Sequence, residues 1–187
     1  MASASTLEMA ILGLLRGKPQ SGYDLRKTFT TTAMRHYSDS PGSIYPALRR
    51  MESRGWIREA VPAGLTREDR RGRQEFTPTE VGRAVLLAWL QQDMSSEDVR
   101  LRLTELMLRF AFMNGNIPRS ATVRFLDQLA RELGGYVAEM HTKFEEMSGK
   151  VQPLHTGLLA FEAGIRGMEA QLAWAQEVRA RLEEKLQ

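Results

Sequence analysis

The sequence predicts a mainly α-helical chain in two parts: a small helical unit with a two-stranded hairpin over residues 1–92, and a domain of long helices over residues 93–187. Three observations carry this. The first 56 residues hold three helical hydrophobic patterns in succession, followed by two short alternating runs around an arginine-rich loop. The second half carries apolar residues in steps of three and four over many more turns than a small core covers. Charge is also divided, with 14 Lys and Arg against 9 Asp and Glu in residues 1–90 but 12 against 14 in residues 91–187. A basic half beside an acidic half suggests two jobs, one of them with an anionic partner.

Taken in order, Thr6 is placed to cap a first helix whose residues Leu7, Ala10, Ile11, Leu14 and Leu15 fall at helical spacing, and Gly17, Lys18 and Pro19 end it. Ser21 starts a second helix and makes a capping-box-like pair with Asp24. Tyr23, Leu25 and Phe29 supply its apolar contacts, and the Thr30–Thr31–Thr32 run weakens its end. The third helix lies within SPGSIYPALRRMESRGW, residues 40–56. A start at Ser40 would place Pro46 in the helix interior at a cost of about 3 kcal/mol. A start at Ser43 places Pro46 in the first turn, where N–H groups have no intrahelical partner, so Ser43 is the predicted cap. Ile44, Leu48 and Met51 then share the core face, Tyr45, Arg49 and Arg50 point away from it, and Gly55 closes the helix.

WIREAV (56–61) reads as a short strand and QEFT (74–77) as its return, with Arg67, Arg70, Arg71 and Arg73 in the loop between them. Residues 77–80 begin a fourth helix that buries Val81, Val85, Leu86, Trp89 and Leu90. From residue 96 the chain reads as helical throughout, with LRLTELMLRFAFMN (101–114) as one helix ended by Gly115, Asn116 and Pro118. A helix over 119–147 carries the stripe Leu126, Leu129, Leu133, Tyr136, Met140, Phe144 and Met147; Gly134–Gly135 within it predicts a bend or a close crossing. The last helix runs from 154 to the end, with Leu158, Phe161, Ile165, Met168, Leu172, Ala175, Leu182 and Leu186 on a heptad-like seam and Arg179 out of place. Helices of this length reach about 45 Å each, more than one small domain buries. A homodimer is therefore expected, held by Leu129, Leu133, Tyr136, Met140, Phe161, Ile165, Met168 and Leu172.

Three helices, a strand, a basic loop, a strand and a helix is the order of a winged helix-turn-helix with a two-stranded wing. Such a third helix fits the DNA major groove, its first turn meeting base edges, while wing arginines reach phosphate or the minor groove. A protein-interaction module or a nucleoid factor without sequence preference is the alternative use of the same unit.

GKPQSGYDLRKTF, SPGSIYPALRRMESRGWI and the Arg73, Thr79, Gly82 pattern resemble the PadR family of bacterial transcription regulators. LLAFEAGIRGMEAQLAWAQEVRARLE resembles the helical C-terminal domain of that family's longer branch, so the resemblance covers nearly the whole chain. It implies a homodimer, mostly repressing, that presents two winged helices to a palindromic double-stranded operator and is often released by a small molecule. Residue by residue, it implies DNA contact for Ser43, Tyr45 and Arg49, with Arg50 on the same helix, for Arg73 in the wing, and for Tyr23 at the GY position, where packing of the second helix on the third is the stronger reading. Arg70 and Arg71 join this set as loop cations. The wing departs from the family pattern at Gln74–Glu75–Phe76 and at Pro78, and Glu75 would repel phosphate.

The remaining observations exclude other classes. The composition is ordinary for a globular chain, at 42% apolar and 26% charged. With no cysteine there are no disulfides or thiolate zinc sites, which suits a reducing compartment. No apolar run approaches the roughly 18–20 residues that span a bilayer, and the N-terminus lacks the basic region of a signal peptide, so a cytoplasmic, nucleoid-associated protein is expected. His36, His141 and His155 lack metal spacing, and no phosphate loop, nucleophile elbow or carboxylate dyad occurs, so neither an enzyme nor a cofactor is expected. Trp89, Met107, Phe110, Phe112 and Trp174 are the candidates for a pocket taking a small aromatic effector, and otherwise form core.

Overall fold

The computed structural model describes residues 4–32, 34, 37, 41–60, 74–150, 152 and 155–184. The chain divides into two compact units, Met1–Gln91 and Gln92–Gln187.

The first unit is built on α1 (Thr6–Gly17), which packs against the third and fourth helices and the sheet. Its cap is Ser5 rather than Thr6: the Ser5 hydroxyl accepts from the Glu8 N–H at 3.2 Å and the Glu8 carboxylate accepts from the Ser5 N–H at 3.1 Å. Counting from Ser5 makes Glu8 the third helical residue, the position that closes a capping box. Met9, Ala10, Ile11, Leu12 and Leu15 are all buried, a wider face than the spacing suggested, because α1 is covered from several sides.

The two-residue strand β1 (Gln20–Ser21) leads into α2 (Gly22–Thr31). Ser21 serves both: its Oγ accepts from the Asp24 N–H at 3.2 Å and its N–H donates to Asp24 Oδ2 at 3.2 Å, while its backbone pairs with Glu75. Ser21→Ala is expected to lower stability by about 1 kcal/mol, read as a fall of about 4–8 °C in the first unit's melting temperature. An unchanged melt would show that the box is not needed to start α2.

A 3-10 turn (Pro41–Ser43) runs directly into α3 (Ile44–Ser53). Ser43 holds the N-cap position, as its sequence context predicts, but with helical angles of φ −74 and ψ −19 and no capping hydrogen bond from its side chain. Ile44, Ala47, Leu48 and Met51 form the buried face. Gly55, at φ 67, ends the helix: its N–H reaches the Glu52 carbonyl at 2.9 Å, and the Trp56 N–H reaches Met51 at 2.9 Å.

β2 (Ile57–Glu59) and β3 (Glu75–Pro78) pair antiparallel, with Ile57 opposite Pro78 and Glu59 opposite Phe76. The sheet has three strands in the order β1-β3-β2, one more than expected. α4 (Glu80–Leu90) is capped by Thr79, whose Oγ accepts from the Gly82 N–H at 3.1 Å. Its buried line is Gly82, Leu86 and Leu90, at i, i+4 and i+8. Val81, expected inside, is 55% exposed because it lies about 100° round the helix from that line, and Val85 and Trp89 are half-buried. This helix-turn-helix with its wing strands and closing α4 is a winged helix.

In the second unit the helix expected over 101–114 is α6 (Leu103–Ala111), and a separate short helix, α5 (Ser96–Leu101), precedes it, with Arg102 between them at φ −132 and ψ 26. Ser95 caps α5 in a box with Asp98, and the hydrogen bond from the Ser95 N–H holds that carboxyl below its ordinary pKa. Arg109 is buried, donates to the Gln92 carbonyl and lies 5.3 Å from the centre of the Phe125 ring. Burial pushes its guanidinium below the usual value, and Asp98, Glu105 and Asp93 oppose that.

α7 (Arg119–Ser148) and α8 (Thr156–Glu184) pack against each other antiparallel, joined by the Phe144–Phe161 ring contact at 6.1 Å, the His141–Glu169 pair at 2.8 Å and the Arg179–Asp127 pair at 2.6 Å. Arg179, out of place on a heptad seam, therefore has an acid across the hairpin. α7 is helical throughout Gly134–Gly135, and a Cβ at Gly134 would meet Leu172 Cδ2 at an ordinary 4.0 Å, so no tight contact with that side chain requires the glycine. Among the described residues no helix is long and apolar enough to cross a membrane, and none forms a group of metal-ligating side chains.

Candidate nucleic-acid interface

The outer face of α3 and the first turn of α2 enclose an open cleft of about 500 Å³, lined by Tyr23, Tyr45, Arg49, Glu52, Gln74 and neighbouring residues. Tyr45 and Tyr23 are 48% and 46% exposed, unusual for residues of this size, and Arg49 is exposed beside them. The local sequence explains the arrangement. Apolar residues at 44, 47, 48 and 51 commit one side of α3 to the core, which turns 45, 49 and 52 outward.

Gly22 then lets the Tyr45 ring lie against the start of α2: a Cβ there would stand 2.6 Å from Tyr45 Cε1. Tyr23 is half exposed on the cleft, with the Arg26 guanidinium 5.6 Å from its ring centre. The cleft thus combines two aromatic faces, a cation and the Glu52 carboxylate, the groups that stack on sugars and bases and read base edges.

The residues read from sequence divide as follows. Tyr23, Tyr45 and Arg49 are brought together in the cleft, and Ser43 is half-buried at the start of α3. Arg50 is exposed as expected, but its Nε lies 3.0 Å from Glu8 Oε1. Arg70, Arg71 and Arg73 lie outside the described residues. Glu52, Gly22 and Glu8 were not singled out from sequence. Glu52 was visible as the residue one turn beyond Arg49 on the same face, and Gly22 as half of the GY pair.

In the second unit, Leu129, Leu133 and Ile165 were expected between subunits but are buried inside the chain's own α7–α8 hairpin, at 0%, 0% and 3% exposure, and have no surface left for a partner. Tyr136, Met140, Phe161, Met168 and Leu172 keep part of theirs. Phe110 meets Trp174 edge to face at 5.2 Å and Phe125 in a stack at 6.4 Å; Met107 is half-buried on α6, and Trp89 belongs to α4 of the first unit.

Fold and face together define a winged helix-turn-helix with an exposed outer face on its third helix. Residues 11–88 are similar to the Transcriptional regulator PadR-like family. The Negative transcriptional regulator PadR of Bacillus subtilis (strain 168) is 27% identical over 149 residues, spanning 79% of this chain and 78% of that protein. Among solved structures, Bacillus subtilis PadR in complex with operator DNA is 21% identical and covers 94% of this chain and 98% of its own, with a TM-score of 0.42. Bacillus subtilis PadR in complex with p-coumaric acid is 21% identical, covers 95% and 99%, and has a TM-score of 0.41.

Proposed function

We propose that this PadR-like regulator is a repressor that binds a palindromic double-stranded operator as a homodimer, reading bases with the first turns of α3. The observation that carries the reading is the exposed Tyr23–Tyr45–Arg49 face on a winged helix whose other side is fully committed to the core. Repression is favoured by the relative, named a negative regulator. Chemistry on a substrate is not part of the proposal, since the family is one of regulators. The test is a gel-shift titration on the chain's own upstream DNA against a scrambled duplex. A regulator should prefer its site by at least about 10³-fold; equal affinity for both would leave a nucleoid-binding or protein-interaction role.

The dimer is supported by the apolar surface that α7 and α8 leave partly uncovered at Tyr136, Met140, Phe161, Met168 and Leu172, extended by exposed Met147 and Leu159. Sedimentation at micromolar concentration is expected to give twice the chain mass of 21.2 kDa; a single monomeric species would remove the dimer and with it the palindrome. Release by a small aromatic effector is the finest part of the reading, with the half-buried Phe110 and Trp174, edge to face at 5.2 Å, as its candidate contacts. A thermal-shift series with small aromatic acids is expected to raise the melting temperature, and a flat response across the set would remove the effector.

A further inference from the structure

Glu8, on the first turn of α1, has a side chain only 2% exposed and three donors converging on its carboxylate. Oε1 accepts from Arg50 Nε at 3.0 Å; Oε2 accepts from Arg54 Nη1 at 3.2 Å and from the Ser5 N–H at 3.1 Å. Both arginines come from the end of α3, the helix that presents Tyr45 and Arg49, and their side chains remain 50% and 28% exposed. Arg54 is held a second time, 4.9 Å from the centre of the Trp56 ring.

We propose that Glu8 is a specificity-determining residue for DNA binding, one that rests on the operator-reading function above: by keeping Arg50 and Arg54 in ion pairs it withholds two cations of the reading helix from phosphate and so limits sequence-independent binding. Non-specific affinity grows with the number of phosphates a protein neutralises, and each such contact adds about 0.9 to the slope of log affinity against log salt. For either arginine to move to a phosphate, it must desert a carboxylate that has almost no water to replace it, which is unfavourable. Arg49, next in sequence to Arg50, faces the cleft instead. Glu8 therefore sorts the cations of α3 into one that reads and two that are retained.

The test uses the full chain and fluorescence anisotropy on two duplexes, one from the chain's own upstream region and one of random sequence, between about 50 and 200 mM salt. Glu8→Gln keeps the shape and an acceptor for the Ser5 N–H. It is expected to bind the random duplex several-fold more tightly at the low-salt end, with a slope steeper by about 1–2 units, and to lose preference for the upstream duplex by a similar factor. Adding Arg50→Gln to that variant should bring the slope back by about one unit. A folded Glu8→Gln with the wild-type slope and preference overturns the proposal. Should Glu8→Gln fail to fold, Arg50→Gln and Arg54→Gln answer the same question alone. Tethered arginines make no phosphate contact, so both should keep the wild-type slope, and a slope flattened by about one unit overturns the proposal. Wild-type protein that binds the two duplexes alike overturns the operator reading, while the slopes still decide the role of Glu8.

Discussion

Gly82→Ala is expected to cost the winged-helix unit more than about 3 kcal/mol, a drop of roughly 12 °C or more in its melting transition. The added Cβ would stand 2.0 Å from the Trp56 carbonyl oxygen, 2.8 Å from its carbon and 3.2 Å from Trp56 Cα. All three are backbone atoms, so no side-chain rotation relieves the contact. Trp56 cannot easily retreat either. Its carbonyl accepts from the Thr79 N–H at 3.0 Å and from Thr79 Oγ at 3.2 Å, and its own N–H is committed to Met51 at the close of α3. Relief has to come from moving α4 away from the end of α3, which breaks the cap that starts α4 and disturbs the base of the wing.

The opposing effect is small. Alanine is favoured over glycine by at most about 1 kcal/mol in a helix interior, and less in the first turn where Gly82 sits. Steric cost decides the sign. The measurement is a urea or thermal melt followed by circular dichroism, taking the transition assigned to the first unit, with operator binding measured below it. A variant that melts within about 1 kcal/mol of wild type would mean that α4 and Trp56 do not approach this closely.

Where the sequence was informative, local physical chemistry decided the outcome. Pro46 could be tolerated only in the first turn of α3, and that requirement alone placed the helix start at 43. The Ser21–Asp24 box and the closing role of Gly55 were legible for the same reason, each being set within six residues. What escaped depends on partners far along the chain. β1 is two residues long with no alternating run, and it exists only because residues 75 and 76 come back to pair with it. Glu8 reads as an ordinary polar residue on a first turn; its burial follows from arginines 42 and 46 residues later.

The α7–α8 stripes fail differently. A heptad-like seam says that a helix needs an apolar partner and is silent on whether that partner is the same chain or another copy. Leu129, Leu133 and Ile165 are satisfied within the chain, and the hairpin geometry that does this is absent from the periodicity. The break at Arg102 carries no glycine or proline, so propensity gave no sign of it. The candidate reading face was legible through the outward residues of α3, whereas its cleft required Gly22, whose importance lies in what it leaves room for.

Arg49→Ala is expected to weaken binding to the upstream site by about 10–100-fold, the 1–3 kcal/mol that a well-placed arginine contributes at a base edge, and to weaken a scrambled duplex only a few-fold. Stability should stay within about 0.5 kcal/mol, because Arg49 is exposed and its removal opens no cavity. The asymmetry follows from position. On α3, Tyr45 lies one turn ahead of Arg49 on the same outward face, so a groove-bound helix brings both to the bases while the core face holds the backbone rigid behind them. Arg50 is rotated about 100° away and held by Glu8, so alanine there should spare base discrimination and act through the packing of α1 on α3. Glu52, one turn beyond Arg49, adds a negative group that disfavours simple phosphate clamping in this part of the cleft and suits an acceptor for a cytosine amino group. Competition anisotropy with single-base variants of the upstream site measures the point directly. In wild type one position should carry most of the penalty, and in Arg49→Ala that position should become indifferent. If instead Arg49→Ala lowers affinity equally for every duplex, Arg49 is a phosphate contact, and base reading falls to Tyr45 and Glu52.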